Sequence, residues 1–316
     1  MSYKRSIPER IVDEDIDKII RTYEETYKNI YKRLKANLDY KKNPGFSRVS
    51  MYSQMKQVEY QLEQLGRDLD LLVPKAIKKA VEVGYAESLF AMYVALNIRK
   101  SFDEAWKDVP FSTINSTMAE QLSKDTMKDL LQATKNTEYA VKKLVQDTFA
   151  KHMSVQALQN GGRLDMIRVV MKDLTGKGLS KNIERNIIGI VDKAGRKWRT
   201  DVYVDMVVRT KFHQARVEGI KEYANKNDGK GDLAQIPIHN ALDACRNFEG
   251  LVISMTGATE GYRTYDELRA TNQIFHPRCK HIPKPIYAME HLHEEDQKLH
   301  QEKIKESNKF LKDFNK

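Results

Sequence analysis

The first hundred residues constrain the fold most, because their apolar side chains recur at steps of three and four with charged residues between them. Over residues 11–41 the recurring set is Ile16, Ile19, Ile20, Tyr23, Tyr27, Ile30, Tyr31 and Leu34. Residues 50–72 repeat the pattern through Met55, Val58, Leu62, Leu65, Leu69 and Leu72. A third stretch, to about Asn97, carries Val81, Tyr85, Leu89, Tyr93 and Leu96. At 3.6 residues per turn each set lies on one stripe of a helix, and such a stripe needs a partner surface. Asn43-Pro44-Gly45 ends the first helix, and Pro74 is expected in the first turn of the third, where a proline is best tolerated. Two or three long helices packed side by side is the simplest solution. Tyr23, Tyr27 and Tyr31 form a one-sided stripe, expected to pack against a neighbour rather than to hold a ligand.

The remaining chain reads as shorter elements. Phe102, Trp106, Val109, Pro110 and Phe111 mark an irregular wedge. Ser123 and Thr137 are expected to cap two short helices. Residues 154–200 suggest two more helices around the Gly176–Gly178 turn, with Ser180 as a cap; the Lys177-Gly178 pair lacks the Gly-rich run of a phosphate loop. Arg196–Gly219 has a helical pattern through Trp198, Val202, Met206, Arg209, His213 and Arg216. Residues 222–238, rich in Asn, Lys, Asp and Gly, read as a loop. The polar 290–316 segment suits either a helix or a tail ordered by a partner. The expected fold is mainly α, a long N-terminal helical arm or bundle followed by a small α+β C-terminal domain. The expected segments are a long-helix region (1–100), a central helical domain (101–200), a Cys/His-containing module (201–289) and a polar tail (290–316).

Charge and composition narrow the function classes without choosing one. Lys and Arg number 54 against 44 Asp and Glu, a formal charge of +10. Such a field attracts DNA and acidic protein surfaces alike and carries no specificity. Lys28, Lys32, Arg33 and Lys35 can meet phosphates or an acidic surface by charge alone; a solvated helix face is the plain alternative. No apolar run of membrane-spanning length is present, and the opening MSYKRSIPER lacks the apolar core of a signal peptide. The expected setting is a reducing cytoplasm or the inside of an assembling particle.

One dense constellation stands out. The chain has two cysteines and eight histidines, and Cys245, Cys279, His239, His276 and His281 gather in one segment. Thiolate and imidazole are the preferred ligands of zinc, and four of them make a closed structural site. The most economical set is His239, Cys245, Cys279 and one of His276 or His281. Three other outcomes remain open: two buried thiols packed beneath Phe248 and Phe275, histidines bonded to backbone carbonyls, or a disulfide, which cytoplasmic redox disfavours. In every version with zinc or thiol packing the two cysteines approach each other. Glu249 could in principle serve as a base for zinc-bound water, but no HExxH pattern accompanies it. Arg209 is expected to be a buried donor tying its helix to Asp243, Glu249 or loop carbonyls, since a buried guanidinium needs a partner.

The same segment resembles the phage minor capsid protein 2 family, within the Mu-F-type head morphogenesis proteins. The residues that carry the resemblance are Arg209-Thr210 with Ala215 and Gly219 downstream, then His239, Asp243-Ala244-Cys245-Arg246 and Phe248-Glu249-Gly250. It closes on His276-Pro277-Arg278-Cys279-Lys280-His281 with Pro283 and Pro285. The match runs over roughly residues 160–285 and departs from the family pattern at Lys211, where an acidic residue often stands, and at Lys280, where an Arg does. The resemblance implies a non-enzymatic virion component near the portal vertex or in the head interior. Its implied partners are the portal protein, the major capsid protein and packaged double-stranded DNA, with roles in head morphogenesis, DNA packaging or genome ejection. It also implies structural roles for Arg209, Thr210, Gly219, Asp243, Glu249, Gly250 and Pro277. The alternatives are a nucleic-acid-binding protein with a structural metal and a metal-dependent hydrolase.

Overall fold

A computed structural model describes residues 6–110, 116–161, 164–187, 190–191 and 197–314. In chain order these form α1 (Ile7–Leu38), α2 (Arg48–Ala95), α3 (Phe102–Lys107), α4 (Ser116–Gly161), α5 (Leu164–Leu174) and α6 (Gly176–Ile187). A two-residue hairpin follows, β1 (Ile190–Val191) with β2 (Lys197–Trp198), and then α7 (Thr200–Lys226). The C-terminal part carries β3 (Leu233–Gln235), β4 (Val252–Ser254), α8 (Tyr265–Ala270), β5 (Lys284–Pro285) and α9 (Glu294–Phe314). The fold is mainly α, with long N-terminal helices and a small antiparallel sheet near the C-terminus in the order β4-β3-β5. Its register pairs Ala234 with Ile253 on one side and with Pro285 on the other.

Several expected boundaries move, each for a physical reason. Pro74 does not begin a helix but lies inside α2. An interior proline costs about 3 kcal/mol. Leu69, Val73 and Ile77 around it are fully buried, and each such side chain contributes roughly 1.5–3 kcal/mol, enough to carry the helix through. Ser123 and Thr137 do not cap short helices: both lie within α4, where their hydroxyls donate back to the carbonyls of Ala119 (2.8 Å) and Ala133 (3.1 Å). That bond is the local alternative to capping. Ser180 does the same toward Gly176 within α6 (3.1 Å). The expected wedge holds α3, closed by a capping box between Ser101 and Glu104; Phe111 lies outside the described residues, as does Arg196. The helix expected from Arg196 is α7, which begins at Thr200, and the loop expected over 222–238 contains the end of α7 and all of β3. The polar C-terminal segment is helical as α9, with His300, Ser307 and Leu311 buried.

The described residues group into two compact units that do not follow chain order. One draws on Asp17–Val73 and Asp125–Val208. Its buried apolar residues include Ile19, Ile30, Leu34, Leu62, Leu65 and Leu69 of the expected stripes and Leu130, Ala133, Val141 and Val145 of α4. Tyr23 donates to the Leu130 carbonyl (2.8 Å) and Tyr27 to the Thr137 hydroxyl (2.9 Å), so the tyrosine stripe is a packing surface with polar tips satisfied on α4.

The other unit draws on Met1–Ile16, Pro74–Lys124 and Arg209–Lys316. Within it α2 and α7 touch backbone to backbone. A Cβ on Gly84 would stand 1.9 Å from the Arg216 carbonyl oxygen, and one on Gly219 would stand 2.0 Å from that of Val81. Only glycine permits that approach. Beside this seam Arg216, 3% exposed, grips Glu87 through two guanidinium nitrogens.

Candidate metal centre

The sheet-bearing unit positions the Cys/His constellation. After β3 the chain passes His239 and enters a short 3-10 turn, Ala244–Asn247. Asp243 caps that turn by accepting from the Cys245 amide (3.1 Å), which fixes where Cys245 starts. Cys279 arrives from a second turn, in which Phe275 and Arg278 have positive φ (57° and 67°) and the Cys279 amide donates to the His276 carbonyl (2.9 Å). The Arg278 amide reaches the hydroxyl of Thr210 on α7 (3.4 Å), fastening this second turn to the helix.

The two turns bring the cysteines together. Their sulfurs are 3.8 Å apart, and both thiols are free and buried. His276 Nε2 lies 3.3 Å from the Cys245 sulfur, and His281 Nδ1 lies 3.3 Å from the Cys279 sulfur. Among the described residues, the ligand atoms of Cys245, His276 and Cys279 all fall within 4.8 Å of one another. His239 stands one layer out: its ring packs edge-on against His281 with centroids 4.9 Å apart, and its amide donates to Glu249 (2.9 Å).

Glu249 is the polar hub beneath the cluster. Its Oε1 accepts from the amides of His239 (2.9 Å) and Ala241 (3.0 Å) and faces His281 Nε2 at 2.9 Å. Three partners on one buried oxygen make it an organiser of the loop rather than an exposed base. Burial pushes its carboxyl up, but the bonds to His281 and the two amides outweigh that and hold it below the ordinary range. His281 shows the reverse balance: burial pulls it down, and Cys279 with Glu249 lift it above its ordinary value. Hydrogen bonding from the Cys245 thiol, helped by His281, holds Cys279 below the ordinary thiol range. The same bond, with burial, drives Cys245 up. Two thiols and two imidazole nitrogens in mutual contact are the donor types that a soft divalent metal uses.

The other expected site residues take varied places. Arg209 is half-buried and pairs with Asp13 (3.5 Å), while Asp243 and Glu249 serve the turns. Gly219 makes the α2–α7 seam, and Gly250, at φ +86°, donates to the Ile236 carbonyl (2.8 Å). Pro277 offers its carbonyl to His276 Nδ1 (3.0 Å). Lys28, Lys32, Arg33 and Lys35 are all exposed on α1, with Lys28 paired to Glu24 at 3.1 Å; helical spacing puts the three lysines on one face and Arg33 to the side. Two buried organisers escaped the sequence reasoning. Asp232, 1% exposed, accepts from the Thr256 amide (2.7 Å), the Thr256 hydroxyl (2.7 Å) and the Thr259 amide (3.1 Å), and also binds Ser254. His300 accepts from the Val252 amide (3.0 Å), joining α9 to β4. Both sit in polar runs that pattern reasoning assigns to solvent.

Compared with known proteins, residues 12–309 match the family described as Phage minor capsid protein 2. No curated protein and no solved structure matches the chain. No helix among the described residues is long and apolar enough to cross a membrane.

Proposed function

The chain belongs to the phage minor capsid protein 2 family, a structural component of the phage head, and from that premise we propose that it works at the portal vertex, on the inner side of the shell. In this reading it is a non-enzymatic assembly protein that binds the portal protein and the major capsid protein through its long helices. It meets packaged DNA through charge, and it serves packaging or ejection by lining the path of the genome.

The observation that carries this reading is a stripe on the first half of α2. Val49, Tyr52, Tyr60 and Leu71 are between 57% and 79% exposed. At 100° per residue they fall on one arc about 100° wide, interleaved with Lys56, Glu63 and Arg67. Large aromatic and aliphatic groups set among charges on a rigid helix suit contact with another protein. The overall positive charge suits a compartment filled with phosphate.

Crosslinking mass spectrometry on purified mature heads tests the placement. Crosslinks from Lys56 to the portal protein, at a few copies per head, are expected. Absence from mature heads, or a copy number matching the major capsid protein, would overturn it. DNA contact is tested separately, because replacing Lys28, Lys32 and Lys35 by Glu should weaken salt-sensitive DNA binding without removing the protein from heads.

A further inference from the structure

We propose that this protein binds one structural zinc ion through Cys245, Cys279 and His276, with His281, held beside Cys279, turning in as the fourth ligand. The inference rests on side-chain geometry alone and stands whether or not the protein sits at the portal.

The spacing of the sulfurs is the first argument. Two thiolates each about 2.3 Å from a tetrahedral zinc lie about 3.8 Å apart. Cys245 and Cys279 are 3.8 Å apart. A disulfide would need about 2.05 Å. An imidazole nitrogen and a thiolate on the same ion lie about 3.5 Å apart. His276 to Cys245 and His281 to Cys279 are each 3.3 Å, while the ligand atoms of Cys245, His276 and Cys279 as a set fall within 4.8 Å, so His276 and His281 must draw inward to share one ion.

The histidine tautomers are the second argument. His276 Nδ1 lies 3.0 Å from the Pro277 carbonyl oxygen. A carbonyl only accepts, so Nδ1 carries the proton and Nε2 presents its lone pair toward Cys245. His281 Nε2 lies 2.9 Å from the Glu249 carboxylate. Nε2 therefore carries a proton, and Nδ1 faces the Cys279 sulfur, where it offers a lone pair once zinc displaces any second proton. Each imidazole is thus held from its outer nitrogen with the inner one aimed at a sulfur. A carboxylate behind a histidine, as Glu249 is behind His281, is the usual support of a metal-bound imidazole.

The third argument is what the site closes. Cys245 sits in the turn before β4, and Cys279 with both histidines sits in the segment before β5. The β3–β4–β5 sheet has strands of two or three residues, which give little pairing energy of their own. Four protein ligands leave no open position, so the ion would be structural, and its binding energy would be folding energy for this segment. Two thiolates among the ligands select zinc over magnesium or calcium.

The rival arrangement is metal-free. Asp243 Oδ2 lies 3.5 Å from His276 Nε2, so a second proton there would give an imidazolium–carboxylate pair beside two packed thiols. The full chain, expressed without added zinc and purified under reducing conditions, separates the two. Elemental analysis should find about one zinc per chain. X-ray absorption should show two sulfurs at about 2.3 Å and two nitrogens at about 2.0 Å. Cobalt exchanged into the site should give a thiolate charge-transfer band. Cys245→Ser and Cys279→Ser should each abolish metal retention; if they fail to fold, the wild-type absorption spectrum decides. Glu249→Gln should weaken zinc binding on the order of 10- to 100-fold with the same ligand shell. A reduced chain that neither retains zinc nor takes it up from a zinc buffer overturns the proposal. A shell with an oxygen in place of one nitrogen overturns the four-residue set.

Discussion

The two compact units are stabilised by different means. In the helical unit, built from Asp17–Val73 and Asp125–Val208, the buried positions are those the helical period demands, and polar groups are accessories to apolar packing. Tyr23 shows this: it donates to a Leu130 carbonyl that already receives the Thr134 hydroxyl at 3.1 Å. In the sheet-bearing unit, buried polar side chains organise backbone that has no regular partner. Arg216, Asp232, Glu249, His281 and His300 are all buried there, and each holds a turn, a strand or a helix seam. Long helices satisfy their own amides, so their side chains are free to be apolar. Short strands and turns leave amides over, and side chains must answer them. Single polar deletions should therefore cost far more in the sheet-bearing unit than in the helical one.

Arg216→Ala is the strongest test. It leaves the Glu87 carboxylate, itself only 10% exposed, without its bidentate partner. Breaking a buried pair from one side costs about 3–5 kcal/mol. Hydrogen exchange of peptides from α7 and the second half of α2 should show the loss locally, and Glu87→Ala in the same chain should recover part of it. A loss below about 1 kcal/mol would mean that apolar packing holds both units alike. Asp232→Ala comes next. It orphans the amides of Thr256 and Thr259, at about 1–3 kcal/mol for each buried group, so about 2–4 kcal/mol with some rescue by water. Thermal unfolding with exchange over residues 252–260 checks it, and an unchanged 254–259 turn would defeat the claim that a carboxylate organises it.

The same contrast explains what could be read from the sequence. Apolar recurrence at three and four located α1, the two halves of α2 and the packing role of Tyr23 and Tyr27, because burial is periodic there. The scarcity of cysteine drew attention to Cys245 and Cys279, and the fold does bring them together. Periodicity could not tell that α2 runs through Pro74, because the burial of Val73 and Ile77 that offsets the proline is a tertiary fact. Nor could it separate a Ser or Thr cap from a back-bonded hydroxyl, since Ser123 and Thr137 offer the same chemistry to either role. Strands of two or three residues are too short to show alternation. Asp232 and His300 look like surface residues in sequence because they serve backbone amides, which sequence does not distinguish.

In the helical unit the corresponding deletion is Tyr23→Phe. It removes a bond of 2.8 Å to a carbonyl that keeps its other donor. Nothing is orphaned, so the expected cost is about 1 kcal/mol, the net worth of an ordinary hydrogen bond. Chemical denaturation measures it, and a loss of 3 kcal/mol or more, at the level of a buried ion pair, would show that polar groups carry this unit as well.

The smallest effect is a pH dependence confined to the helical unit. His152 is fully buried, with its ring 5.0 Å from that of Tyr40 and 5.4 Å from that of Phe46. Its Nε2 lies 3.3 Å from the carbonyl of Leu38, the last residue of α1, so that nitrogen carries the proton and caps a helix end. Its Nδ1 is buried with no hydrogen-bond partner among the described residues. A second proton would therefore sit in an apolar pocket. Burial accordingly holds the His152 pKa below its ordinary 6.5, against smaller opposing effects from the Leu38 carbonyl and the nearby Asp39 carboxylate. Between the folded value and 6.5 the unfolded chain binds a proton that the folded chain does not. Stability should therefore fall as pH drops below about 6.5 and level off below the folded value, with a slope of at most about 1.4 kcal/mol per pH unit from this residue. His152→Gln keeps a donor for the Leu38 carbonyl and cannot titrate. Denaturation midpoints followed by exchange of α1 and α4 peptides between pH 7.5 and 5 should thus show a shallower slope in the variant, and equal slopes would remove His152 from the account.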